Sequence, residues 1–257
     1  MKKILIILIL ISVLSSCRKT SHSNPFLDQI QNYPHDENKL DDYLTIYNET
    51  NNLIYALNKI NYPLFLKPNQ TNNKYLLIDN LLLVNTNYYF EKNYTPTNLV
   101  KVTNVDFIKR NNQTMTLEKS TLDNYVMLYN EASKLGLNLT LFSGYRSYSY
   151  QENLYNNSTT GFVAKPGSSE HQSGYAVDVS TKECGLTTNF ENTLEFTFLK
   201  NNAHKYGFIL RYPKNKEDIT GYPYEPWHYR YVGNTCAKII YQENLTLEEY
   251  FYYYLVL

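Results

Sequence analysis

The chain has 257 residues, 43% of them hydrophobic and 19% charged, with 24 Lys and Arg against 24 Asp and Glu. That length buries a full core in one domain, with or without an appendage. The even charge, without a long single-sign run, argues against a nucleic-acid partner, which needs clustered cations. The 27 tyrosines and the many asparagines are read as compositional bias, with a carbohydrate-binding aromatic surface as the alternative.

Lys2 and Lys3 precede an apolar run over residues 4–11 that continues through Val13 and Leu14. This is the charged start and short apolar stretch of an export signal. It is too short for a permanent membrane helix, which needs roughly 20 apolar residues. The run ends at Leu14-Ser15-Ser16-Cys17, which resembles the lipobox of bacterial lipoproteins. That resemblance implies lipidation of Cys17 as the first mature residue, the alternative being an ordinary cleaved signal. Cleavage removes two of the cations and none of the anions. The expected organisation is a signal peptide at 1–16, a flexible tether at 17–38, a helical segment at 39–79 and a main domain at 80–257. The expected location is the outer face of the cytoplasmic membrane, reached by export and held by lipid. His22 and His35 fall in the tether and are read as solvated.

Apolar positions predict a helix over 40–60, ended by Pro63, and a buried strand over 75–84. An extended segment follows at 99–102. A helix starts near Thr121, with Ser120 or Thr121 as its cap and Gly136 as its left-handed stop. Period-two alternation marks a strand over 137–142. Gly144 then turns the chain into a helix over 148–156. Residues 158–169 read as a loop and 175–180 as a short strand. Thr188 and Glu191 have capping-box spacing before a helix over 192–206 that Gly207 stops. Strands are expected at 208–212 and 228–232, around a charged loop at 214–220. Helices are expected at 235–243 and from Leu247, the last capped by Thr246 and Glu249. This unalternated mixture predicts an α+β fold with a partly antiparallel sheet. Cys184 and Cys236 are read as separate thiols, with a disulfide as the alternative.

Zinc in hydrolases takes three ligands from His and carboxylate and keeps a fourth position for water. His171 and Asp178 are candidates, seven positions apart. On one strand they would lie roughly 23 Å apart, and on one helix roughly 10 Å along the axis. Sharing a metal therefore requires a bend, which Gly174 permits. Asp178 stands among Ala176, Val177 and Val179, where an unpaired carboxylate is costly. A metal removes that cost, and so does a hydrogen-bonded structural role. Glu225 precedes His228 by three positions, and Pro226 pushes Glu225 towards extended geometry. It is either a base acting from a loop or a surface glutamate. Arg146 leaves its strand at a glycine turn, either projecting into a cleft or solvated. His204 sits near a helix end and reads as structural.

Four blocks then carry a family resemblance: Ser143-Gly144-Tyr145-Arg146-Ser147; the stretch from Pro166 through Ser169, Glu170 and His171 to Asp178; His204-Lys205-Tyr206-Gly207-Phe208; and Glu225-Pro226-Trp227-His228 through Gly233. In order and spacing they resemble the VanY-type D-alanyl-D-alanine carboxypeptidases, over about residues 80–257. The resemblance implies the Hedgehog/D,D-peptidase fold, a small antiparallel sheet with flanking helices and zinc in a cleft. It implies His171, Asp178 and His228 as zinc ligands and Glu225 as catalytic base. It implies Arg146 as the stabiliser of the oxyanion, and Gln151 and Ser169 as contacts to the peptide stem. Tyr175 stands where relatives often carry leucine and is expected to shape the pocket wall. The implied reaction is metal-assisted removal of a terminal D-alanine from peptidoglycan stem peptides by a monomer. The alternatives are L,D-carboxypeptidase or endopeptidase action on the same peptides, or a non-catalytic zinc-binding or cell-wall-binding lipoprotein.

Overall fold

The computed structural model describes residues 25–31, 35–51, 53, 56, 57, 60, 73, 74, 76–78, 81–103, 114–159 and 163–256; Cys17, His22 and the expected export signal lie outside them. Helix α1 (Pro25–Ile30) falls within the stretch read as a tether. Its Phe26 and Ile30, four positions apart on one helical face, are buried against Tyr43, Leu53 and Leu57. His35 is not solvated either: its side chain is 8% exposed and its Nε2 lies 3.1 Å from Glu37 Oε1. Helix α2 (Leu40–Thr50) is closed by Asn51 in a left-handed conformation, and the described residues 53, 56, 57 and 60 are helical again, so the stretch predicted as one helix is broken at Asn51.

The apolar stretch over 75–84 is a hairpin rather than one strand. After the short β1 (Asn73–Lys74), β2 (Leu76–Ile78) pairs antiparallel with β3 (Leu81–Leu83). Strand β4 (Tyr88–Tyr89) pairs with β1, and β5 (Leu99–Lys101) with β6 (Thr116–Glu118). Strand β6 runs directly into α3 (Lys119–Lys134). Glu118 caps that helix, not Ser120 or Thr121: its carboxylate accepts the Ser120 N–H at 2.8 Å and the Thr121 N–H at 3.3 Å.

The site-bearing part follows as β7 (Thr140–Ser143), α4 (Tyr148–Asn157), β8 (Ala176–Ser180), α5 (Leu194–Asn202), β9 (Phe208–Leu210), α6 (Glu217–Thr220), β10 (His228–Tyr231), α7 (Asn234–Gln242) and α8 (Leu247–Tyr250). Residues Thr188–Asn192 form a 3-10 turn, so Thr193 caps α5 by accepting the Phe196 N–H at 3.1 Å. The charged loop contains the one-turn α6. The capping box of Thr246 and Glu249 is present at α8.

The main sheet has the order β7-β8-β10-β9, with every neighbour antiparallel. The α+β expectation holds. Leu141, Val177, Val179 and Tyr229 of the sheet pack with Tyr125 and Leu128 of α3 and Leu199 of α5 in the largest core cluster. Each fully buried large side chain there contributes roughly 1.5–3 kcal/mol of hydrophobic stabilisation. That packing fixes β8 and β10, which carry the site. Cys184 and Cys236 are unbridged.

Candidate metal centre and active site

The register of two central strands creates the centre. His228 on β10 lies directly opposite Asp178 on β8. Cross-strand neighbours place their Cβ atoms about 5 Å apart, so their donor atoms converge. His228 Nδ1 is 3.2 Å from Asp178 Oδ1.

His171 arrives from a different element. Residues Glu170–Ser173 make a 3-10 turn, closed by Gly174 at φ +77°. This is the bend that the His171–Asp178 spacing demands. A side chain at Gly174 would meet Leu99 Cδ2 at 3.0 Å and Glu118 N at 3.1 Å, so the positive φ favours glycine and the space for anything larger is tight. The turn leaves His171 Nε2 3.2 Å from Asp178 Oδ2. His171, Asp178 and His228 are buried, and one ligand atom from each lies within 4.8 Å of the others.

The hydrogen-bond pattern tests whether a cation fits. His171 Nδ1 lies 2.7 Å from the Gly144 carbonyl oxygen. A carbonyl only accepts, so Nδ1 carries the proton and Nε2 presents a lone pair. That lone pair faces a carboxylate oxygen and has no hydrogen-bond partner. Burial, together with Arg146, pushes the His171 pKa down to about 4, so a second proton does not bridge the gap. Two lone pairs pointing at one point in a dry site call for a cation there. Asp178 keeps its charge despite burial, because the Arg146 guanidinium, 2.6 Å from Oδ2, favours the ionised carboxyl and holds it well below the usual range. The residues fit a divalent metal of the zinc type, with nitrogen, oxygen and nitrogen donors.

Arg146 leaves β7 through a turn that its own backbone pins, donating its N–H to the His171 carbonyl at 3.2 Å. Its guanidinium donates to Ser143 Oγ at 2.9 Å, Gln151 Oε1 at 3.4 Å and Asp178 Oδ2 at 2.6 Å. Arg146 is therefore not solvated. Gln151, on α4, is 1% exposed and donates to the Ala164 carbonyl at 2.8 Å. Glu225 enters just before β10, with its Oε2 3.6 Å from His228 Nδ1. Burial raises its pKa to about 7, with Asp178 and Glu170 adding repulsion. Glu225 is 6% exposed, so it is no surface glutamate.

These side chains line a cleft of about 470 Å³. Ser169 lies beside His171 in its wall, with Trp227, Tyr222 and Leu186 as apolar lining. Tyr175 does not line it; Arg230 lies over the Tyr175 ring at 5.5 Å instead. His204 stands apart, stacked on Tyr241 at 3.7 Å between ring centroids.

Sequence reasoning missed what supports the centre from behind. Glu170, Arg211, Arg230 and Glu248 are all buried. Arg211 Nε and Arg230 donate to Glu170 Oε1 at 2.8 and 2.7 Å, and Arg211 also pairs with Glu248 at 2.6 and 2.8 Å. Against the penalty of burial, the two arginines hold the Glu170 carboxyl far below its usual range. One signal was available: His228 and Arg230 alternate onto one face of a strand with aromatic neighbours.

The family model described as VanY, D-alanyl-D-alanine carboxypeptidase, matches residues 114–234, which hold Arg146, His171, Asp178, Glu225 and His228. The carboxypeptidase-family protein YodJ of Bacillus subtilis (strain 168) is 44% identical over 182 residues, 66% of each chain, so the match spans just under two thirds of that relative's length. A solved structure of the LdcB LD-carboxypeptidase is 40% identical with a TM-score of 0.62, covering 70% of this chain and 93% of that one. A solved mutant of the vancomycin resistance D,D-pentapeptidase VanY, in complex with Zn(II), is 31% identical with a TM-score of 0.53, covering 65% of this chain and 96% of that one. Fold, sequence and metal centre agree: the chain belongs to the VanY family of D-alanyl-D-alanine carboxypeptidases.

Proposed function

We propose that this protein is a zinc-dependent carboxypeptidase that removes the terminal D-alanine from peptidoglycan stem peptides. The observation that carries the proposal is His171 Nε2, buried without a hydrogen-bond partner and facing Asp178, with His228, Glu225 and Arg146 around the same point. His171 Nε2, Asp178 and His228 Nδ1 would hold the ion. Zn2+, when bound, supplies a Lewis acid that polarises the scissile carbonyl and makes water a better nucleophile at neutral pH.

The chain's own residues do the rest. Glu225, buried and within reach of the ligand set, takes the proton of the attacking water and delivers it to the leaving amine. Arg146 holds a fixed positive charge where the oxyanion develops, anchored by Ser143 and Gln151. Ser169 and the aromatic wall of Trp227 and Tyr222 form the surface against which the peptide stem lies. A monomer with a lipid at Cys17, on the outer face of the cytoplasmic membrane, places this cleft beside the cell wall. No helix among the described residues is long and apolar enough to cross a membrane. Detection of unmodified Cys17 at the mature N-terminus by mass spectrometry contradicts the lipid anchor.

A second reading keeps the chemistry and changes the bond: L,D-carboxypeptidase action on the same stem peptides. The likeness to the LdcB LD-carboxypeptidase supports it. The hydrolytic assignment is tested with Glu225→Ala, which is expected to retain zinc by elemental analysis and to lose hydrolysis of muropeptides. A variant that stays fully active contradicts the assignment of the base.

A further inference from the structure

We propose that Glu170 is a positioning residue that fixes the His228 ring with its proton on Nε2, leaving Nδ1 free to bind the metal. The inference rests on the metal-site reading above and adds a residue that holds one of its ligands.

Two orphaned atoms point to it. Glu170 Oε2 and His228 Nε2 are both buried, both lack a hydrogen-bond partner, and lie 3.5 Å apart. Closing that gap by about 0.6–0.8 Å makes them a charge-assisted hydrogen bond of about 2.7–2.9 Å. The other carboxylate oxygen, Oε1, is already saturated by Arg211 and Arg230. Glu170 is therefore clamped by one oxygen and presents the other to the histidine. A carboxylate only accepts, so the ring nitrogen facing it must carry the proton. The opposite nitrogen, Nδ1, is the one that faces Asp178 and Glu225.

The clamp itself is held from outside the span of the family model. Glu248, on α8, neutralises Arg211, and the Asn85 side-chain amide donates to Glu248 Oε1 at 3.1 Å. Arg230 donates to the Leu82 carbonyl at 2.7 Å. Two carboxylates thus balance two guanidiniums in a fully buried cluster. Such a cluster tolerates no vacancy, because each member removed leaves a charge uncompensated. Residues 82–85 and the chain after 245 therefore belong to the support of the metal centre.

The test combines zinc titration against a competing chelator with ring nitrogen NMR of His228. Glu170→Gln is expected to weaken zinc binding about 10- to 100-fold, the usual effect of losing a carboxylate behind a ligand histidine. The zinc-loaded wild type is expected to show an Nε2–H proton and a metal-bound Nδ1. Glu248→Gln disturbs the same cluster without touching His228 and is expected to keep the Nε2–H form and bind zinc more tightly than Glu170→Gln. Unchanged zinc affinity in Glu170→Gln, or equal losses in both variants, overturns the proposal. Should Glu170→Gln fail to fold, the wild-type spectrum decides: metal on Nε2 overturns it. A wild-type protein that binds no zinc contradicts the metal-site reading itself, and this proposal with it.

Discussion

Two concavities of nearly equal size flank strand β10, about 470 Å³ at the His171 cleft and about 460 Å³ on the other side. Strand alternation divides them: His228 faces the first and Tyr229 lines the second. The first gathers the buried His171, Asp178 and Glu225 with Arg146; the second mixes apolar Phe196, Leu199, Leu210 and Ile240 with Glu191, Lys200, His204 and Lys214, of which Glu191 and Lys214 pair with each other. Volume is therefore not what distinguishes an active site here. The difference is the convergence of ionisable groups whose environments push them apart, with His171 held neutral, Asp178 held charged and Glu225 raised towards neutrality.

That contrast can be broken by substitution. The largest effect is expected at His171→Ala, which removes one of three ligands: zinc content falls by elemental analysis and turnover falls to background. Unchanged zinc content removes His171 from the ligand set. Next comes Glu225→Ala, expected to lower kcat about 10²- to 10⁴-fold, the usual scale for a general base, with zinc retained. Arg146→Ala is expected to cost about 10²- to 10³-fold in kcat, as for loss of one oxyanion donor; a change in KM alone would make it a binding residue. The smallest effect on catalysis is expected from the other concavity. Leu199→Ala, at a site 1% exposed, should cost about 2–5 kcal/mol in denaturant unfolding and leave kcat of the folded protein unchanged. A kcat that falls with stability would couple the two faces of the sheet.

The sequence revealed local geometry better than it revealed pairing. The bend at Gly174 follows from the separation of His171 and Asp178, because neither strand nor helix brings seven residues together. The cap at Thr246 and the left-handed stops at Gly136 and Gly207 were likewise readable, since each is decided within a few residues. The facing of His228 and Asp178 was not, because register across fifty residues depends on how the whole sheet packs. The hairpin at 76–83 shows the same limit: an unbroken apolar stretch does not say where it folds back. The Glu170 cluster was the least visible part. Glu170, Arg211 and Glu248 are far apart in the chain, and charged residues read as surface until tertiary structure buries them.

In the proposed reaction this centre cuts the last residue from a stem peptide with the help of zinc. The most direct measurement incubates the protein with tetra- and pentapeptide muropeptides, with and without a chelator, and identifies the amino acid released. D-alanine is expected from the pentapeptide, abolished by the chelator and restored by added Zn2+. Release from the tetrapeptide instead would move the bond to the L,D linkage within the same chemistry. Hydrolysis that persists in the chelated, zinc-free protein, or no release from either peptide by the zinc-loaded protein, would contradict the proposed function.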